Sequence, residues 1–246
     1  DKDSIEAVVN QCSEIEKDYL EMYEEKKIIL DIEDRIIGSV NGLSVIDFGY
    51  MSFGKPMRIT CTCYKGSGKI MDAQRESNLS GNIHNKSLNI LRGFLSSFFN
   101  SYEALPVDFQ LSFEQLYGKI EGDSASVAEV IAMISSLSKI PVDQSIAVTG
   151  SLNQFGQVQP IGGVNEKIEG FFNVCKKIGT YIGKAVLIPE SNKDELILNS
   201  EIEEAVRKGE FKIYLMKDIN EALSTLLLND TIGNKISEEI KKFKDN

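Results

Sequence analysis

The chain has 246 residues, with 27 basic and 37 acidic side chains and a formal net charge of −10 at pH 7. A chain of this length can bury a full hydrophobic core, and its acidity excludes a general attraction to the nucleic-acid backbone. It has no apolar run near the roughly 20 residues that a membrane helix needs, and no signal-peptide pattern at its start. We therefore expect a cytoplasmic protein with neither a nucleic-acid partner nor a membrane partner.

The first predicted element is an amphipathic helix. Apolar residues recur at spacings of three and four among many charges over residues 1–25, at Ile5, Val8, Val9, Cys12 and Ile15. Such spacing is typical of a helix with one apolar face. We expect residues 1–29 to form a helix and linker that lead in from a preceding domain.

The pattern then changes to alternation, which indicates β-strands. Residues 35–40 and 43–48 flank Asn41-Gly42, a pair that suits the positive φ angles of a two-residue turn, and together they predict a β-hairpin. Residues 58–64 alternate β-branched and small side chains in the same way. The first third is therefore expected to be largely antiparallel sheet.

The remainder alternates predicted helices and strands, which predicts a mixed α/β fold (α+β). Helices are expected at residues 86–99, 124–137, 164–178 and 202–208 and from Asp218 onward, and strands at 107–113, 145–149, 184–188 and 211–216. We expect one main domain over residues 30–228 and a polar C-terminal tail over 229–246 that frays.

Metal and nucleotide sites are not indicated by the motifs. Cys61-x-Cys63 lacks the second pair that a zinc site requires, and one histidine, His84, cannot supply a multi-histidine site. The segment KGSGKI at residues 65–70 has Ile where a phosphate-binding loop needs Ser or Thr, so it is interpreted as a turn between strands. We expect His84 to be structural.

Ser124 is the first candidate for chemistry. Gly122-Asp123-Ser124 directly precedes an apolar helical run, so Ser124 lies where unpaired N–H groups and the positive end of the helix dipole gather. An oxyanion that develops beside a serine nucleophile would be stabilised there. Simple helix capping by Asp123 or Ser124 is the alternative.

Lys167 is the candidate base for that serine. It lies three residues after Val164 and four before Phe171, so at about 100° per residue it points toward the apolar face of its predicted helix. Burial lowers the pKa of a lysine, and the neutral amine can accept a proton. The alternative is a lysine whose stem covers the core while its ammonium reaches water.

A substrate strand needs an unpaired edge. The extended residues 110–120 could receive one by edge pairing, although Phe113 and Tyr117 could equally belong to the core.

The motifs as a set resemble the proteolytic domain of the Lon protease family. The similar segments are QLYGKIEGDSAS, SIAVTGSLNQFGQVQPIGG and NEKIEGFFNVCKKIG, and the resemblance covers roughly residues 30–227. Ser124 and Lys167 have the separation of that family's Ser-Lys dyad. Gly-Asp-Ser-Ala-Ser in place of Gly-Pro-Ser-Ala-Gly makes the chain more similar to the LonB-like group, and within it to bacterial Lon-like proteases.

The resemblance implies a serine endopeptidase in which Ser124 is the nucleophile and Lys167 the general base. It implies that Thr149 hydrogen-bonds the lysine, and that Glu121 and Asp123 are acidic neighbours that hold or block the dyad. It also implies a sheet of the ribosomal-protein-S5 type, no cofactor or metal in this segment, and a homohexameric ring. A preceding ATPase domain would use ATP and Mg to deliver unfolded or damaged proteins. The alternative is a nonproteolytic ring-forming or binding module of the same fold.

Overall fold

The computed structural model describes residues 14–99, 104–228 and 231–245. Within these ranges the strands are β1 (Arg35–Ile36), β2 (Ser39–Asp47), β3 (Ser52–Lys65), β4 (Ile70–Asp72), β5 (Val107–Phe113), β6 (Val142–Asp143), β7 (Ile146–Val148), β8 (Ser151–Leu152), β9 (Val158–Gln159), β10 (Lys184–Pro189) and β11 (Phe211–Met216). The helices are α1 (14–24), α2 (Ala73–Glu76), α3 (Asn82–Phe98), α4 (Ser126–Ser138), α5 (Val164–Ile178), α6 (Ser200–Arg207), α7 (Ile219–Leu227) and α8 (Ile232–Asp245), with a 3₁₀ turn at Glu190–Glu195.

A seven-stranded mixed sheet organises the described part of the chain. Its order is β11-β10-β7-β2-β3-β5-β4. The pairs β2–β3 and β3–β5 are antiparallel, whereas β7, β10 and β11 run parallel to one another and β2 runs parallel to β7. The pair β4–β5 is also parallel. The predicted mixed α/β class is thus confirmed.

The sheet separates two apolar cores. In β10, Ala185 and Leu187 pack into the core that contains α4, whereas Val186 and Ile188 pack into the core that contains α5. This follows from the alternation of side chains along a strand. Every residue of α4 is buried, as expected for a helix enclosed on all sides, while α5 buries one apolar face.

The predicted hairpin turn at Asn41-Gly42 is wrong, because both residues lie inside β2. The Asn41 side chain donates hydrogen bonds to the carbonyl oxygens of Asp31 (2.7 Å) and Gln144 (2.8 Å). A Cβ at Gly42 would lie 2.6 Å from Ile59 Cδ1, so the pair fits a buried, closely packed strand. The turn between β2 and β3 comes later, where Phe48 N–H donates to the carbonyl of Met51 and Gly49 has a φ of 83°.

The two ends of the chain are helical where the structure describes them. Residues 1–13 lie outside the described residues, and 14–24 form α1, which packs on the body through a hydrogen bond from Tyr23 Oη to the Pro56 carbonyl (2.6 Å). The described part of the tail departs from the frayed segment expected, because α8 covers Ile232–Asp245 and the apolar side chain of Ile236 is buried against the α4 core. The domain boundaries at residues 29 and 228 stay predictions. Within the ranges that the structure covers, none of the helices is sufficiently long and apolar to pass through a bilayer.

Candidate active site

Ser124 lies in the turn that precedes α4, two residues before the helix begins. Gly122 makes the turn possible with a φ of 88°. The carbonyl of Ser124 accepts hydrogen bonds from Gly150 N–H (2.8 Å) and from Thr149 Oγ1 (3.2 Å). The loop after β7 therefore holds the backbone of Ser124 in place.

Lys167 is carried by the first turn of α5, which lies unusually close to β3. A Cβ at Gly54 in β3 would lie 1.9 Å from the carbonyl oxygen of Glu166, and a Cβ at Gly170 would lie 2.3 Å from the carbonyl oxygen of Gly54. These two glycines let the backbones of the strand and the helix touch. As a result Lys167 is only 3% exposed.

Three predicted site residues meet in a closed set of hydrogen bonds. Lys167 Nζ lies 3.0 Å from Ser124 Oγ and 3.2 Å from Thr149 Oγ1. Because Thr149 Oγ1 donates to the Ser124 carbonyl, it fixes both the serine backbone and the amine. Ser124 and Lys167, 43 positions apart in the chain, are thus close enough for direct proton transfer between Oγ and Nζ.

The environment favours the neutral form of the Lys167 amine. Burial lowers the pKa of Lys167 to about 8, although the nearby charges of Asp123 and Glu166 act to raise it. The predicted orientation toward the apolar side is confirmed, and the alternative of a solvated ammonium does not hold. An amine with this pKa is partly neutral near pH 7.

The two acidic neighbours of the serine make their contacts with other residues. Asp123 Oδ2 accepts a hydrogen bond from Ser151 Oγ (2.8 Å), so it acts on Lys167 through its charge. The Glu121 carboxylate packs on Gly81 just before α3, where a Cβ would lie 1.1 Å from Oε2. Neither carboxylate is hydrogen-bonded to Ser124 or Lys167.

A groove of about 830 Å³ opens over the dyad. Residues 44–48 of β2 and its turn form one wall, residues 115–121 another, and Gly162, Gly163 and Glu166 the end nearest Lys167. The loop wall is held in place at both ends, because Gln115 hydrogen-bonds the backbone of Lys27 and Ile29, while Ile120 bonds that of Leu79 and Gly81.

The strand edge beside this groove belongs to β2. One edge of β2 pairs with β3 along its whole length. The other edge pairs with β7 only at Asn41 and Gly42, so it is unpaired from Leu43 to Asp47. Of the predicted edge at residues 110–120, residues 110–113 belong to β5, which pairs with β3 on one side and with β4 on the other. Residues 115–120 line the groove, and their pairing with a substrate strand stays a prediction. Phe113 is core, whereas Tyr117 is 84% exposed and lines the groove. Sequence reasoning missed the β2 edge because it placed a turn inside that strand.

Two other features prove structural. His84 is buried, with Nε2 2.9 Å from Asp72 Oδ2 and 3.8 Å from Glu129 Oε1. Burial alone would lower the pKa of His84, but the hydrogen bond to Asp72 and the charges of Glu129 and Asp72 raise it. In the Gly-rich segment after β3, the N–H groups of Ser67 and Lys69 donate to Asp108 Oδ1 (2.7 and 2.8 Å), so these donors bind a carboxylate of the protein itself.

Comparisons with known proteins agree with this geometry. The model of the Lon protease (S16) C-terminal proteolytic domain matches residues 14–229. The chain is 44% identical over 205 residues to the "Putative Lon protease homolog" of Escherichia coli (strain K12), which covers 82% of this chain and 35% of that protein. The protein of the same name from Haemophilus influenzae is 40% identical, covering 88% of this chain and 36% of its own length. The "Archaeal Lon protease" of Archaeoglobus fulgidus is 31% identical, covering 92% and 33%.

The chain spans about a third of the length of these curated relatives. The family match extends across the serine turn, the β7 loop and α5, which together carry the hydrogen-bonded set of Ser124, Thr149 and Lys167. The chain belongs to the Lon protease family, as a C-terminal proteolytic domain.

Proposed function

We propose that the chain is a serine endopeptidase that hydrolyses peptide bonds with a Ser124-Lys167 dyad. The observation that carries the proposal is the 3.0 Å distance between Ser124 Oγ and a buried Lys167 amine whose pKa is lowered to about 8. Serine is a weak nucleophile until a neighbouring base takes its proton, and a desolvated lysine can act as that base.

The reaction proceeds through an acyl-enzyme. Neutral Lys167 takes the proton from Ser124 Oγ as the oxygen attacks the scissile carbonyl, and backbone N–H groups at the start of α4 stabilise the oxyanion. The charged Lys167 then gives the proton to the leaving amine. Water repeats the attack on the ester, with Lys167 again as the base, and releases the acid product. Thr149 holds the amine toward Ser124 throughout.

The substrate binds as an extended strand on the free edge of β2. Main-chain hydrogen bonds along Leu43–Asp47 would give affinity with little sequence preference, which suits unfolded or damaged protein chains. The opposite wall, residues 115–121, would close over the bound strand.

The chain is, in this proposal, the proteolytic part of a longer, ATP-dependent cytoplasmic protease that assembles as a homohexamer. The relatives are about three times as long, which leaves room for the expected ATPase domain. That domain would bind ATP and Mg, whereas in this chain the N–H groups of Ser67 and Lys69 donate to Asp108. The partners are unfolded polypeptides, without nucleic acid or membrane.

The test compares matched variants of the intact protein on fluorescein-labelled casein, an unfolded protein, in the presence of ATP and Mg. Ser124→Ala and Lys167→Gln should abolish cleavage. The controls are Ser96→Ala, an exposed serine on α3, and Lys176→Gln, an exposed lysine on α5, which should cleave like the wild type. Full cleavage by Ser124→Ala would refute the dyad, and an inactive wild type that no serine-directed phosphonate labels would favour the nonproteolytic module.

A further inference from the structure

Two buried serine hydroxyls lie directly behind the nucleophile turn, and the dyad does not include them. Ser126 is the first residue of α4 and is fully buried, while Ser87 on α3 is 2% exposed. Their Oγ atoms lie 2.7 Å apart. Ser126 Oγ also donates a hydrogen bond to the carbonyl oxygen of Asp123.

The direction of these hydrogen bonds follows from the atoms involved. A carbonyl oxygen can only accept, so the single hydroxyl proton of Ser126 must go to Asp123. Ser126 Oγ is then the acceptor toward Ser87, and Ser87 is the donor. The chain of bonds therefore has one direction: Ser87 donates to Ser126, and Ser126 donates to the carbonyl of Asp123.

That carbonyl shares its peptide unit with the N–H of Ser124. It accepts both the hydroxyl and the N–H of Ser126, the latter at 3.1 Å. Hydrogen bonds to the oxygen of an amide polarise the unit, because linked bonds strengthen one another in a low-dielectric interior. Among the described residues no backbone hydrogen bond is donated by the N–H of Ser124, and Ser124 lines the groove.

We propose that Ser126 and Ser87 are positioning residues that strengthen the Ser124 N–H as a donor to the oxyanion. The inference rests on the proposed serine mechanism. The two serines touch neither substrate nor dyad; they act through the Asp123–Ser124 peptide. Because the negative charge develops only in the transition state, their effect falls on kcat and leaves KM unchanged.

A purely structural role is the competing explanation. The serines could simply join α3 to α4, as His84 and Glu129 already do one helical turn away. Removing Ser126 would also leave the buried Ser87 hydroxyl without its acceptor, which destabilises a protein by about 1–3 kcal/mol. A structural role predicts lower stability and less folded enzyme, with an unchanged kcat per folded molecule.

The matched control is Ser135 on the same helix. It is equally buried, accepts from Gly38 N–H and donates to the Ile140 carbonyl, but it lies at the far end of α4. Ser135→Ala therefore removes a comparable buried hydroxyl without touching the Asp123–Ser124 peptide.

The experiment measures kcat, KM and the affinity for a peptide boronate in the intact protein, with active sites titrated so that only folded enzyme is counted. A boronate adduct on Ser124 places an oxygen where the oxyanion forms. We expect Ser126→Ala to lower kcat and boronate affinity about tenfold, since complete loss of an oxyanion donor costs about a hundredfold or more. Ser87→Ala should lower both by about threefold, and Ser135→Ala should change neither.

Each outcome has a defined meaning. A reduced kcat at constant KM in Ser126→Ala or Ser87→Ala, with Ser135→Ala unaffected, supports the proposal; either variant suffices if the other does not fold. Normal kcat per titrated site, a change confined to KM, or an equal loss in Ser135→Ala overturns it. A wild-type protein that neither cleaves the peptide nor forms the adduct overturns the proposed function, and this inference with it.

Discussion

In the proposed mechanism, the pH dependence of cleavage follows from the burial of Lys167. Only the neutral amine can take the proton of Ser124, and the pKa of Lys167 is lowered to about 8 by burial. With that value about a tenth of the enzyme carries a neutral amine at pH 7 and about nine tenths at pH 9. We therefore expect kcat/KM, which reports the free enzyme, to rise about tenfold from pH 7 to pH 9 and then to level off.

The assay is initial-rate cleavage of an internally quenched peptide between pH 6 and pH 10, in buffers of constant ionic strength. Glu166→Gln removes a charge that raises the pKa of Lys167, so its profile should move to lower pH. Lys167→Arg should be inactive throughout, because a guanidinium keeps its proton. A rate that still climbs tenfold per pH unit up to pH 10 would mean an ordinary lysine, near 10.5, and would refute the reasoning.

Three further perturbations test the site and its frame. Thr149→Val removes the hydrogen-bond acceptor that orients Lys167, so kcat should fall between about tenfold and a hundredfold while Ser124 still reacts slowly with a phosphonate. An unchanged kcat would contradict this role of Thr149. Gly54→Ala places a Cβ 1.9 Å from the Glu166 carbonyl oxygen and should lower the free energy of urea unfolding by about 3 kcal/mol or more. The control Gly118→Ala, whose Cβ would meet open space, should change that free energy by no more than about 0.5 kcal/mol. Equal changes in the two variants would argue against the close approach of β3 and α5. Burial raises the pKa of Glu129 to about 7 from an ordinary 4.5, so the folded state binds more protons than the unfolded state between these pH values. The free energy of unfolding should therefore fall by about 3 kcal/mol as the pH rises from about 4.5 to about 7. Glu129→Gln should flatten that slope in urea titrations at successive pH values, and a slope that persists would show that other groups cause it.

The elements predicted best are those whose side-chain period is long and unbroken. The helix at Val164–Ile178 and the strands at Val107–Phe113 and Phe211–Met216 have the bounds expected from their patterns. In the helix and in Val107–Phe113 the local period and the final burial agree, whereas in Phe211–Met216 burial does not alternate and Leu215 is exposed. The prediction that Lys167 faces the buried side of α5 rested on the same periodicity.

The elements predicted wrongly depend on partners far along the chain. Asn41-Gly42 has the local signature of a turn, but Gln144 and Ile59 make it the interior of a strand. The C-terminal residues look polar and unstructured, yet Ile236 packs against a core built mainly from residues before it. Short-range pattern cannot anticipate a hydrogen bond or a contact supplied by another element.

The candidate site divides along the same line. From its sequence alone the protein specifies a serine before an apolar helix, a lysine on the apolar side of another helix, and a threonine at the end of a strand. Only the tertiary structure decides that α5 lies against Gly54 and that Lys167 is buried deeply enough for its pKa to fall to about 8. It also decides that Ser126 donates a hydrogen bond to the carbonyl of the Asp123–Ser124 peptide. The physical reason is that identity and period are properties of the local chain, whereas desolvation and hydrogen-bond geometry are set by residues that come from everywhere else.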